Sequence, residues 1–340
     1  MAQVTKIIDG DGHIYERDDE IHPYLDAKFQ YDGLRNFAFF PTLDGWHRGS
    51  FRAQFGGEAL PEVPHPDSND WIQFLDKYGM SSTIIYPTAG LGSGFIKDKF
   101  WFTELSKGYN NFVYDKYLKA SPRLKAVALL PVVDPSAAAQ ELRRAVKELG
   151  MVGGLLPAVG LRRPYGDAAF DPLYKEAQSL GVMLAVHGAP QQGLGFDFFE
   201  SFTQGFVLEH PFSVMIQFTS MITDKVYQRY PDLKVAYLEA SCGWAPYLIE
   251  RIDQRLNGIA TEQVRNSPIY FHAELKDKMV LNGVISAIGD ERLLYASDYP
   301  HEQPHEIAED LEHFLAREDL SQTSKQRILC DNIEAIYNMS

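Results

Sequence analysis

Cysteine is nearly missing from this sequence. Cys242 and Cys330 are the only two in 340 residues, too few for a disulfide framework, so a reducing, cytoplasmic setting is expected. No apolar run approaches the roughly 18 residues that a membrane span needs, and the opening "MAQVTK" has no apolar h-region of a secretory signal. Basic side chains are in deficit: 32 against 46 acidic ones give a net charge of −14. That balance argues against a nucleic-acid footprint and against docking on anionic lipid. A phosphate-cradling loop is absent too. "GLGSG" at 90–94 has neither the rest of a dinucleotide fingerprint nor a suitably placed acid. With no internal repeat, low-complexity tract or dividing linker, residues 1–340 read as a single domain.

What is present is alternation. Short apolar runs suited to strands lie at 6–13, 82–88, 124–132, 152–158, 182–188, 233–240, 269–275 and 292–298. Helical periods fall near 68–80, 100–120, 136–150, 168–180, 204–230, 244–257, 276–288 and 304–316, with a closing pair over 321–338. Asp134-Pro135 and Asp171-Pro172 suit helix starts, and Gly150 and Gly181 suit helix stops. Continuous apolar strands alternating with helices indicate a parallel sheet covered on both faces. Eight such units predict an α/β fold, a (β/α)8 TIM barrel, ahead of a doubly wound sheet. Residues 22–67 form a long insertion after the first strand, rich in Pro, Gly and aromatics, and read as a lid. "APQQGLGFDFFESF" (189–202) is a second insertion after the fifth strand.

The ends of the predicted strands are unusually polar. In "IIDGDGHIYE" the residues Asp9, Asp11 and His13 are spaced two apart, which on a regular strand puts them on one face. Strand five ends in His187, strand six in Glu239, strand seven in His272 and Glu274, and strand eight in Asp298, with His301 close behind. Chemistry in a parallel barrel gathers at that C-terminal rim. Imidazoles and carboxylates converging there are what a divalent cation requires. A site of Asp11, His13, His187 and Asp298 would leave a coordination position open, and a cation between Asp11 and His13 removes the several kcal/mol that an uncompensated buried carboxylate costs. Plainer readings exist: His187 as a core histidine, Asp298 as a turn former before Pro300, Glu239 as an ion-pair partner of Arg251 or Arg255, and Trp244 as core. Asp9 is expected one layer deeper. His210 and His272 are secondary candidates, and Trp46, His47 and Arg52 in the long insertion either bind substrate or only build the lid.

"DGDGH", "AVHG", "YLEASCGWAPYLIERID", "YASDYPH" and the terminal "NIEAIYNM" together resemble the amidohydrolase-related metal enzymes grouped with aminocarboxymuconate semialdehyde decarboxylase, a branch of the amidohydrolase superfamily. The resemblance runs from the first strand to the C-terminus. It implies that Asp11 occupies the place of a first histidine ligand, that His13, His187 and Asp298 are further ligands, and that Asp298 also serves as a base. Decarboxylating members carry a catalytic histidine where this chain has Glu239, which weakens the decarboxylase reading. Asp11, His13, His187, Asp298, Glu239 and His301 are thus the candidate metal ligands, enough for one or two ions of zinc, manganese or iron, with Asp298, Glu239 and His301 as candidate catalytic residues. Coordination can lower the pKa of water from about 15.7 to roughly 7, worth on the order of 12 kcal/mol. The expected activity is therefore a metal-dependent hydrolase or lyase acting through activated water on a small carboxylated or aromatic compound. The alternatives are a dinuclear iron/manganese oxygenase, or its subunit, hydroxylating a small amino acid, and a noncatalytic barrel subunit. Members of this fold often self-associate, so a homo- or hetero-oligomer is expected by analogy.

Overall fold

The computed structural model describes residues 4–31, 33–34, 37–41, 65–190, 194, 199 and 202–339. Eight parallel strands follow one another in sequence order: β1 (Ile8–Ile14), β2 (Ser82–Pro87), β3 (Leu124–Ala128), β4 (Gly153–Pro157), β5 (Met183–His187), β6 (Val235–Leu238), β7 (Ile269–His272) and β8 (Leu293–Leu294). Each is hydrogen-bonded to the next. The seam is closed beyond β8 by backbone bonds: Gly10 N–H donates to the Tyr295 carbonyl at 3.1 Å, Asp298 N–H to that of Asp11 at 3.0 Å, and His13 N–H to that of Tyr299 at 2.7 Å. This is the expected (β/α)8 barrel. All residues of β1, β2, β4 and β5 are buried, as strands covered on both faces must be.

The helices that cover the sheet start and stop on the local signals the sequence offers. Asp67 caps Ser68–Lys77 with a reciprocal capping box closed by Asp70. Asp98 caps Lys99–Val113 and Asp134 caps Pro135–Leu149, each accepting a first-turn backbone N–H. Gly150 and Gly181 end their helices at φ +70°, a left-handed conformation that costs glycine nothing. The 100–120 segment is helical to Val113 and then widens into a looser turn over Tyr114–Leu118. The expected 276–288 helix spans only Leu281–Ile288, and a helix not anticipated, Ile259–Asn266, follows left-handed Asn257 and Gly258. Among the described residues no helix is long and apolar enough to cross a membrane.

Two differences from the expected strands bear on the site. β8 is far shorter than 292–298, because Tyr295 N–H turns away to the Ile328 carbonyl at 3.0 Å. The chain is thereby released to bring Asp298 over the barrel mouth. β1 is not regular either. Its register against β2 slips between Asp9 and Gly12, so the strict two-residue alternation fails and Asp9 leaves the face of Asp11 and His13. Gly12 makes the irregularity possible: a Cβ there would sit 2.4 Å from the Trp71 ring and 2.7 Å from the Asp9 carboxylate.

Of the 22–67 insertion, the described part forms short helical turns at His22–Tyr24 and Ala27–Phe29. It buries Phe39, whose ring meets Trp101 edge-on at 5.3 Å, and Phe40. Trp46, His47 and Arg52, and most of the 189–202 insertion, lie outside the described residues. "GLGSG" is a buried helical turn within Ala89–Phe95. Trp244 packs in the core against Phe218, Tyr237 and Phe271.

Candidate metal centre

β1 delivers Asp11 and His13 to the barrel mouth, β5 delivers His187, and the segment after β8 delivers Asp298 and His301. Two overlapping triads result, each with ligand atoms within 4.8 Å of one another: Asp11, His13 and His187, and His13, Asp298 and His301. His13 Nε2 is the shared point, 3.4 Å from Asp11 Oδ1 and 3.4 Å from Asp298 Oδ1. His187 Nε2 lies 3.1 Å from Asp11 Oδ2.

The tautomers explain why this cluster needs a cation. His13 Nδ1 is 2.9 Å from the Pro87 carbonyl, and His187 Nδ1 is 2.8 Å from that of Gly188. A carbonyl only accepts, so both Nδ1 atoms carry the proton, and in the neutral rings both Nε2 atoms are bare lone pairs. Those lone pairs face carboxylates, which also only accept. Among the described residues, His13 Nε2, His187 Nε2 and Asp11 Oδ1 are accordingly buried without a hydrogen-bond partner. Converging lone pairs with no proton between them are stable only around a positive ion, and the backbone carbonyls on the far nitrogens are the usual way of orienting imidazole ligands. The donor set therefore fits a divalent metal.

Electrostatics agree. Burial, with the nearby His301 ring, pulls the His13 imidazole down to about 3, leaving it neutral. Burial also pulls His187 down, yet the Asp11 carboxylate and the Gly188 carbonyl hold it above its ordinary value. Burial would raise Asp298, but His301, which hydrogen-bonds Asp298 Oδ1 through Nδ1 at 2.8 Å, carries it down to about 2. Asp298 adopts φ +53° and Glu239 φ +51°. Neither is a glycine, and such left-handed side-chain-bearing residues cluster at functional sites.

The remaining sequence candidates fall around this centre. His301 has both nitrogens engaged, Nδ1 with Asp298 and Nε2 with Thr88 Oγ1 at 2.9 Å, and its ring stacks on His13 at 4.2 Å. Glu239 belongs to neither triad. Its Oε2 is 3.3 Å from His187 Nδ1 and its Oε1 3.6 Å from His210 Nε2, and among the described residues it makes no ion pair with Arg251 or Arg255. Burial, then Asp298 and Asp11, push its carboxyl well above the usual range. Asp9 does sit one layer deeper, accepting from Thr83 Oγ1 at 2.6 Å and Ser297 N–H at 2.8 Å, and burial raises it to about 6. Sequence reasoning passed over two groups. Thr88 had no signal beyond following β2. Glu16, two residues past β1, accepts from the N–H groups of Thr88 at 3.0 Å and Gly90 at 2.6 Å, and burial pushes it up to about 7.

The amidohydrolase family profile matches residues 67–339. The chain belongs to the amidohydrolase family. Among curated relatives of this amidohydrolase, 2-amino-3-carboxymuconate-6-semialdehyde decarboxylase of Dictyostelium discoideum is 23% identical over 330 residues, covering 91% of this chain and 86% of that protein. Gamma-resorcylate decarboxylase from a Polaromonas species is 24% identical over 293 residues, covering 79% and 86%. Among solved structures, an amidohydrolase from Mycobacterium avium subsp. paratuberculosis superposes with a TM-score of 0.76 at 20% identity, covering 99% of this chain and all of that one. Dihydroxybenzoic acid decarboxylase from Polaromonas, solved with manganese and 2-nitroresorcinol bound, gives 0.70 at 19% identity, covering 98% and 97%. The family resemblance and the barrel expected from the sequence are both borne out.

Proposed function

We propose that this protein is a metal-dependent carboxy-lyase acting on a small aromatic acid. The observation that carries the reading is the set of buried ligand atoms on Asp11, His13 and His187 that have no hydrogen-bond partner among the described residues, with the Glu239 carboxyl 3.3 Å from His187 Nδ1. Curated relatives named as decarboxylases of conjugated or aromatic acids support it. Asp11, His13, His187 and Asp298 would hold the ion, and a relative solved with manganese makes manganese the first metal to test. When bound, such an ion supplies positive charge that fixes the substrate carboxylate and draws electron density towards it.

The chain's own residues then have separate tasks. Decarboxylation requires a proton on the ring carbon. The bond to the carboxylate carbon then breaks, its electron pair returns to the ring, and carbon dioxide leaves. Glu239 is the proton donor in this scheme, its carboxyl pushed well above the usual range by burial and by Asp298 and Asp11; it is recharged from water after release. A glutamate can thus do what was expected of a histidine at this strand end, and the departure counts less against decarboxylation than the sequence implied. His301 keeps Asp298 ionised and oriented, and Thr88 holds the far nitrogen of His301.

The test is turnover of 2,6-dihydroxybenzoate by manganese-reconstituted protein, read as carbon dioxide release. Release that stops in Glu239→Gln, at unchanged metal content, supports the assignment. No release from this acid or from 5-carboxyvanillate, or full activity in the variant, would sink it.

A further inference from the structure

The β1–β2 ladder ends at the pair Ile14 and Pro87, and one side chain carries the join further. Glu16 is buried, and it sets one carboxylate oxygen on each of two backbone donors. Oε2 accepts from Thr88 N–H at 3.0 Å and Oε1 from Gly90 N–H at 2.6 Å. The turn held in this way is tight: a Cβ on Gly90 would lie 2.6 Å from the Pro87 Cβ and 3.4 Å from Glu16 Oε1. Two groups of the same turn reach the metal centre. The Pro87 carbonyl takes the Nδ1 proton of His13 at 2.9 Å, and Thr88 Oγ1 meets His301 Nε2 at 2.9 Å. His301 passes that contact on to Asp298 Oδ1 at 2.8 Å. A carboxylate accepts both N–H groups on separate oxygens. Glutamine has a single acceptor and would turn its NH2 against the second donor.

We infer that Glu16 is a positioning residue of the metal centre. By fixing the turn at 87–90 it sets the ring of His13, through the Pro87 carbonyl, and the support of Asp298, through Thr88 and His301. Glu16 is in neither ligand triad. A lone pair binds an ion only when it points along the bond, so the groups that aim a ligating histidine are worth about 10- to 100-fold in affinity. Glu16 stands one bond further out and holds two such groups at once. This role rests on reading Asp11, His13, His187 and Asp298 as ligands of one ion, not on which reaction follows.

The experiment compares wild type, Glu16→Gln and a control, Glu141→Gln. Glu141 is another buried carboxylate, on the outer helix Pro135–Leu149, accepting from Asn110 Nδ2 at 2.7 Å and paired with Arg144. Both substitutions remove a buried hydrogen bond and should lower the melting temperature. Only Glu16→Gln should weaken manganese, by about tenfold, in a metal-buffer titration run well below every melting point. In the metal-free proteins, nuclear magnetic resonance on nitrogen-labelled histidine should show a slowly exchanging Nδ1 proton on His13, assigned by its absence in His13→Gln. That proton should persist in Glu141→Gln and exchange rapidly with water in Glu16→Gln. Unchanged affinity or an unchanged His13 proton in Glu16→Gln, or equal losses in Glu141→Gln, would overturn the inference. If Glu16→Gln does not fold, Glu16→Asp, which keeps both oxygens but draws them back by one methylene, takes its place under the same criteria. Neither readout is turnover. A wild type that shows this pattern without releasing carbon dioxide keeps the role of Glu16 and drops the carboxy-lyase reading, whereas one that binds no manganese drops the role together with the ligand set.

Discussion

His187 carries the sharpest consequence of the site's protonation pattern. The Asp11 carboxylate holds its imidazole above the ordinary histidine range in the metal-free protein, so below that raised pKa a proton takes the Nε2 position where the cation would bind. Metal and proton then compete. Apparent manganese affinity should fall as pH drops below the raised pKa of His187, by about tenfold per unit for each proton displaced. His13 adds no such competition above about pH 3. A metal-buffer titration between pH 5 and 8 reads the slope, and a flat profile would contradict the arrangement. His301→Ala addresses the support of Asp298: about a 10- to 100-fold loss of metal affinity is expected in a folded protein, as for other outer partners of metal ligands. Glu239→Gln should instead spare metal binding and lower turnover by about 10²- to 10⁴-fold, the usual worth of a positioned proton donor.

These residues differ in how far the sequence revealed them. Asp11, His13, His187 and Asp298 were legible because each stands at a strand end inside a short motif, and a barrel brings all strand ends to one rim. The split between ligand and support was not legible. Both nitrogens of His301 are engaged, by Asp298 and Thr88, and "YASDYPH" alone left open whether it binds the ion or only orients a ligand. Thr88 has no motif around it, and its place in the site follows only from the partner it finds, His301 Nε2.

At the level of elements, β1 is the demanding one. A strand carrying Asp9, Asp11 and His13 in strict alternation would aim three polar groups at one point. The slip between Asp9 and Gly12 sends Asp9 back to tie Thr83 and Ser297 while Asp11 and His13 face the barrel mouth. Gly12→Ala should force the Trp71 ring or the Asp9 carboxylate aside. A loss of about 1–3 kcal/mol is expected for such overpacking, with reduced metal content because Asp11 and His13 flank the site of strain. Thermal melts and metal analysis on the same preparation check both halves. Nothing in the residue pattern hinted at the slip, because alternation alone assumes a regular strand. Nor could it place the end of β8. "YASD" is as strand-like as what precedes it, and only the competing carbonyl of Ile328 draws Tyr295 off the ladder.

For the whole molecule, a ligand that binds only the folded barrel stabilises it by mass action. At a manganese concentration about 100 times its dissociation constant the gain is about 2.7 kcal/mol, which for a chain of 340 residues corresponds to a rise in melting temperature of about 4 °C. Chelation should reverse the rise, and scanning calorimetry with and without metal measures it. No shift on saturation would mean that the site does not bind the ion. The barrel itself was legible at this scale from eight apolar runs separated by helical periods. The two insertions were legible only as interruptions, since neither period governs them.

The closure of the sheet couples the first strand to the last part of the chain: Gly10 bonds to Tyr295 through its N–H, and its carbonyl accepts from Tyr337 Oη at 3.0 Å. During synthesis Asp11 and His13 leave the ribosome long before His187, Asp298 and Tyr337 do. A nascent chain therefore has half of the proposed chelate until His187 is out and an open sheet edge until the segment from Tyr295 onward is out, so the ligands are brought together only late in synthesis. The ion joins a molecule that has already assembled itself.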